Sequence, residues 1–127
     1  MRDIVNVVAR VLMAQIFVLA GLDKLQHYHA MQQYMDVHGL SGHLLPLVIL
    51  LELGGGLALV VGFLTRWMAL ALGAFCLLTA YFFHLHPGDQ AQMINFMKNI
   101  TMAGGFLFVA MVGGGRLSMD RVLGWKL

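Results

Sequence analysis

Glu52 lies in the run HLLPLVILLELGGGLALVVGFL, which is apolar enough to cross a bilayer. A carboxylate in such a place costs about 2.5–3.5 kcal/mol even on the lenient insertion scale, so it must face a cation or a polar cavity rather than lipid. Two cations, Lys24 and Lys98, fall at comparable depth on other apolar segments, and His84 and Asn99 fall at the same level. This set suggests proton-coupled chemistry at a carbonyl ligand. Lysines hold the carboxylate ionised, and a histidine exchanges protons near neutral pH. Quinone is the ligand type that fits, because its carbonyls want donors and its reduction takes up protons. The expected site has Glu52 and His84 relaying protons as the catalytic pair. Arg10, Lys24, Glu52, Lys98 and Asn99 are its expected ligand-binding groups. The competing reading is an ion pair that only locks helices together. For Arg10, near the opposite end, snorkelling to the headgroups competes equally with a pocket role.

The elements that must position these groups follow from composition. The chain has 127 residues, 60% hydrophobic and 11% charged, with a mean hydropathy of +0.80. Soluble domains carry about 25% charged residues, so the chain reads as a membrane protein. A formal charge of +2, scattered along the chain, excludes a nucleic-acid partner. Four apolar segments near residues 4–24, 43–64, 66–84 and 93–113 each approach the ~20 residues that a bilayer needs. Thr65 and Arg66 predict a very tight turn between the second and third, and Pro87-Gly88-Asp89 a break after the third. Residues 25–40 are too polar to span. Met31, Tyr34, Met35 and His38 recur there at helical spacing and predict a short interfacial helix. The expected fold is all-α: one domain over residues 1–127, a transmembrane four-helix bundle with an interfacial helix between helices one and two. Arg2 and Arg10 ahead of residues 11–20, with Val18-Leu19-Ala20 behind them, resemble a signal peptide. Asp23-Lys24 continue the same helix, and the segment is read as retained.

Helical phase shows which residues can meet. Asn6, Arg10, Phe17, Gly21 and Lys24 form one stripe on the first helix, from which Gln15 departs. Glu52, Gly55, Gly56 and Leu59 share a face of the second, Gly73, Leu77, Ala80 and His84 of the third, and Asn95, Lys98, Asn99 and Met102 of the fourth. At 1.5 Å per residue, Glu52 lies ~13 Å and Lys98 ~7 Å below the outer surface. Basic residues set the orientation. Arg2, Arg10, Arg66, Arg116, Arg121 and Lys126 fall on one side, against Lys24 and Lys98 on the other, which predicts both termini in the cytoplasm. All six histidines, His27, His29, His38, His43, His84 and His86, then fall outside.

Weaker signals add little. His27-x-His29, His84-x-His86 and the nearby Met31, Met35, Met93 and Met97 lack strict metal-ligand spacing, and no metal site is expected. Gly54-Gly55-Gly56 and Gly104-Gly105 sit inside spans, where small residues let helices touch. Gly113-Gly114-Gly115 is expected to end the fourth helix. The lone Cys76 reads as a packing residue and cannot run an intramolecular disulfide cycle. No covalent cofactor motif for flavin, haem or an iron–sulfur cluster is present, so electrons would come from a partner protein.

Three stretches, ARVLMAQIFVLAGLDKL, LELGGGLALVVGFLTRWMALAL and MKNITMAGGFLFVAMVGGGRLSMDR, together resemble the DoxX family of small bacterial four-helix membrane proteins. The marks are Arg10, Gly21 and Lys24; Glu52 with Gly55 and Gly56; Lys98 with Asn99; and Ser118 with Asp120. They keep their order over nearly the whole chain. The resemblance implies a bundle in the bacterial cytoplasmic (inner) membrane and an association with redox chemistry. Some relatives are subunits of thiosulfate:quinone oxidoreductase, and others are tied to oxidative-stress complexes with thiol-handling or superoxide-removing partners. The family's polar marks carry over to Arg10, Lys24, Glu52 and Lys98. The CxxC pair of some related bundles is missing here, which argues against direct disulfide chemistry. Three functions follow as expectations: a redox-system subunit that binds quinone or a similar small apolar ligand in an outer-leaflet pocket; a non-catalytic scaffold or assembly factor; and an oligomeric transporter of a small solute or protons. Expected partners are membrane lipid, a redox protein and further copies of the chain.

Overall fold

The computed structural model describes residues 1–125, and Lys126, counted above among the basic residues, lies outside them. The described residues form helices and no strand. In chain order these are α1 (Arg2–Gln26), α2 (Tyr28–Val37), α3 (Gly42–Val61), α4 (Thr65–His84), α5 (Gln90–Val112) and α6 (Met119–Val122). Four of them, α1, α3, α4 and α5, are long and apolar enough to cross a membrane. The expected four-helix architecture is therefore present, with α2 as the short helix between the first two spans.

Buried residues trace the predicted stripes. Arg10, Ala14, Phe17 and Gly21 turn inward on α1, as do Glu52, Gly55, Gly56 and Leu59 on α3. Gln15 is exposed. On α4, Gly73 and Ala80 of the predicted face are buried, together with Leu72 and Cys76, whereas Leu77 is exposed. The main core joins Ala14, Phe17, Leu59, Leu72, Cys76 and Phe106 across all four spans. A second, smaller core of Met35, Leu45 and Ile49 docks α2 on the start of α3. Gly42 N–H donates to Asp36 Oδ1 at 2.7 Å and helps fix this docking.

Small residues set the crossing of α1 and α3, where backbones can approach closely. A Cβ on Gly21 would stand 2.9 Å from Leu53 Cβ and 3.0 Å from Leu53 N. A Cβ on Gly56 would stand 2.9 Å from Val18 Cγ2. On α5, Gly105 packs against Met13, whereas Gly104 faces open space.

The turn between α3 and α4 lies earlier than the sequence predicts. Helix α3 ends at Val61, and Thr65 already belongs to α4. Gly62 adopts a left-handed conformation at φ 74°. Phe63 N–H donates to Ala58 O at 2.8 Å and Gly62 N–H to Leu59 O at 3.2 Å, the two bonds of a Schellman ending. The turn is closed from outside by the chain's end. Asp120 Oδ1 accepts from Leu64 N–H at 2.7 Å, and Asp120 Oδ2 accepts from Thr65 N–H at 2.9 Å and Thr65 Oγ1 at 2.6 Å. A residue far along the chain thus caps the start of α4, which has no local capping side chain. Helix α5 ends at Val112 with Gly113 at φ 77°. Asn6 Nδ2 donates to Gly113 O at 3.0 Å, so both described ends of the chain meet at one end of the bundle.

Candidate functional site

Two local departures from α-helical geometry position the polar groups. In α3, residues Leu50–Gly54 form a π-helical turn that contains Glu52. In α4, residues Ala80–His84 form another that contains His84. Such turns are frequent at functional sites because the wider coil re-aims side chains out of the regular helical register. Neither has a proline. The first is followed by Gly55 and Gly56, which offer no side chains to hold a tighter register.

Of the two cations that the sequence offers, Glu52 meets Lys24. Lys24 Nζ donates to Glu52 Oε1 at 3.1 Å and lies 2.9 Å from Oε2, with side chains 17% and 6% exposed. The second approach is a charge contact outside hydrogen-bond alignment, and the buried Oε2 accepts no hydrogen bond. The pair borders a cavity of about 260 Å³ within the Lys24 half of the bundle. Phe17, Phe75 and Phe83 give it apolar walls. Met31, Tyr34 and Met35 of α2 also line it, and the Tyr34 ring stacks on Phe83 at 5.4 Å.

His84 and Asn99 also line this cavity. His84 Nδ1 lies within hydrogen-bond distance of Gln92 Oε1, at 2.8 Å. Thr79 Oγ1 contacts Cys76 O at 3.0 Å and Asn99 Oδ1 at 3.2 Å, and Asn99 Nδ2 donates to Asn95 O at 3.0 Å. Lys98 is exposed and does not join the lining of this cavity; it borders a neighbouring groove on α5.

Arg10 stands apart, at the other end of the bundle. It is 1% exposed and makes four hydrogen bonds: to Asn6 Oδ1 at 2.9 Å, Leu59 O at 2.8 Å, Val60 O at 3.1 Å and Leu117 O at 2.7 Å. Among the described residues, no carboxylate lies within ion-pair distance of it. Its charge faces the carbonyl end of α3, where the helix dipole is negative. Arg10 therefore neither snorkels nor borders the cavity. The buried layer of Ala14, Phe17, Leu59, Leu72 and Phe106 separates it from Glu52.

A profile of the DoxX family matches residues 5–85. The chain belongs to the DoxX family. It is 48% identical to the inner membrane protein YqjF of Escherichia coli K12 over 126 residues, covering 99% of this chain and 97% of that relative. It is 33% identical to the inner membrane protein YphA of the same organism, covering 94% of this chain and 91% of the relative. No solved structure matches the chain significantly. The profile takes in Arg10, Lys24, Glu52 and His84 of this DoxX protein, and Lys98, Asn99, Ser118 and Asp120 follow it.

The residues that sequence reasoning missed are the walls. Phe75, Thr79 and Phe83 of α4 border the cavity, and so do Met31, Tyr34 and Met35. Spacing marked the last three as one helix face, but only docking of α2 on the bundle shows what that face covers. Thr79, a hydroxyl within an apolar span, was a signal available in the sequence.

Proposed function

We propose that this DoxX protein is an integral subunit of a redox system in the bacterial inner membrane, and that its cavity binds the head group of a quinone or a similar small apolar ligand. One observation carries the reading: the buried Lys24–Glu52 pair, an ammonium and a carboxylate 2.9 Å apart, borders an apolar cavity. A ligand hydroxyl would donate to the carboxylate, and the Lys24 ammonium would donate to a ring carbonyl. The cavity, at about 260 Å³, lies just under the ~300–1,000 Å³ of drug-sized pockets, which suits a single ring. When bound, a quinone supplies two-electron, two-proton chemistry. The chain's own part is to orient the ring between Phe75 and Phe83, to exclude water beneath α2, and to hold protons at Glu52 and His84. Electrons would come from a partner protein.

The names of the relatives support an inner-membrane location. The end bearing Arg2, Arg10, Arg66, Arg116 and Arg121 is assigned to the cytoplasm, which places both termini there and the cavity in the outer leaflet. The scaffold reading draws on Arg10 and Asp120, whose partners are all structural. A transport path through one chain would have to pass the apolar layer between Arg10 and Glu52.

The test is solvent extraction and mass spectrometry of the protein purified in mild detergent, beside a Glu52→Gln control. The expected result is near-stoichiometric quinone that is lost in the variant. An absence of quinone from both, with unchanged lipids, would refute the pocket and favour the scaffold.

A further inference from the structure

The four spans form a ring in sequence order, and its loosest seam lies between α1 and α5. These two helices touch where Met13 meets Gly105 and where the Phe17 and Phe106 rings lie 5.4 Å apart. Toward the Lys24 end they part, and an open groove of about 890 Å³ runs along α5 past Ile94, Met97 and Lys98. This groove and the Glu52 cavity share Ile16, His84, Asn99 and Met102 as lining, so the two spaces adjoin along a wall one side chain thick. Ile16 is 50% exposed on the outer face, and Met102 is a flexible, unbranched side chain that can move aside. An approach from the aqueous side passes α2. Helix α2 covers that end with Met31, Tyr34 and Met35, and Tyr34, His38 and Phe83 stack together there.

From this arrangement we infer that the ligand is a chain-bearing amphiphile that enters from the hydrocarbon side between α1 and α5. Its ring rests at Lys24 and Glu52, and its apolar tail passes Ile16 and Met102 into the groove. The groove lies within the span, where an apolar tail meets an apolar wall and no water has to be displaced. A ligand arriving from the aqueous side would instead have to lift α2 from the core built on Met35, Leu45 and Ile49. The inference rests on the pocket reading and adds the class of ligand and its path.

The test compares two probes on the whole protein in lipid nanodiscs: a dimethoxy-methyl-benzoquinol without a tail, and the same ring with a decyl tail. Concentrations are expressed per lipid, so that partitioning cancels. Wild type should bind the tailed probe about tenfold more tightly. Ile94→Trp and Met97→Trp, each of which fills the groove at a position that does not line the Glu52 cavity, should abolish that advantage and leave the affinity for the tail-less ring within about twofold. Two wedges are used because either one alone could disturb packing. A diazirine at the tail's end should label residues 93–102 of α5. Equal affinity for the two probes, a tail advantage that survives both wedges, or labelling confined to α2 would overturn the inference. If the tail-less ring binds in a Glu52-dependent way without a tail advantage, only this inference falls. If neither probe binds, the pocket reading falls with it.

Discussion

The Lys24–Glu52 pair is unequally buried, and this predicts an asymmetric response to breaking it. Removing one partner of a buried pair costs about 3–5 kcal/mol when the other is left without water or a partner. The Glu52 side chain is 6% exposed and lies within α3, so Lys24→Met strands it and should cost that full range, about 3–5 kcal/mol. The Lys24 side chain is 17% exposed in the last turn of α1. After Glu52→Gln its ammonium can extend to the headgroups, and the cost should fall to about 1–2 kcal/mol. The double variant, with no stranded charge, should be more stable than Lys24→Met alone. The coupling between the two sites should be at least about 1 kcal/mol, as for residues in direct contact. Reversible unfolding in bicelles, with all four proteins titrated in parallel, measures this cycle. Equal single costs that add within about 0.5 kcal/mol would refute the reasoning.

Gly21→Ala should destabilise by about 1–3 kcal/mol, because its Cβ would meet the Leu53 backbone, whereas Gly104→Ala should be neutral within about 0.5 kcal/mol; thermal unfolding of the two checks this. Asp120→Asn should cost about 1.5–3 kcal/mol, since an amide cannot accept all three bonds from Leu64 and Thr65; protection of their amides from hydrogen exchange should fall with it. Arg10→Lys should cost at least about 2 kcal/mol, because one ammonium cannot span Asn6, Leu59 and Leu117 together; near-wild-type unfolding would refute this.

Much of the frame was legible in the sequence, because burial in a bundle obeys helical phase. Arg10, Phe17 and Gly21 fell on one stripe, Glu52 over Gly55 and Gly56 on another, and both stripes are buried. Depth and chemistry offered Lys24 and Lys98 alike as partners of Glu52, and only the packing of α1 on α3 selects Lys24. What the phase could not supply were its interruptions. The π-turns at Leu50–Gly54 and Ala80–His84 have no proline to announce them, and the second lies just beyond the α4 face where Leu77 was wrongly expected inside. Lys98 was assigned by phase to the face of Asn95, Asn99 and Met102, but where a lysine sits around a bundle depends on how tightly the ring closes. The loose α1–α5 seam leaves it on the groove. Asp120 was legible only as a mark of the family. Its partners, Leu64 and Thr65, are more than fifty residues away, and no local pattern encodes that bond.

The Arg10 cluster has a consequence for how the protein is made. Arg10 is synthesised before its carbonyl partners: Leu59 and Val60 come with α3, and Leu117 only after α5. Until then the guanidinium lacks these acceptors, and the contact of α1 with the end of α3 is incomplete. Closure by Leu117 and Asp120 therefore waits until α1, α3, α4 and α5 have all been made. A chain that stalled or was cut after Val112 would keep four hydrophobic helices but lack the final acceptor for Arg10 and the cap on α4. Such a fragment would hold a half-satisfied charge near the membrane surface, where a quality-control protease could distinguish it from the finished product.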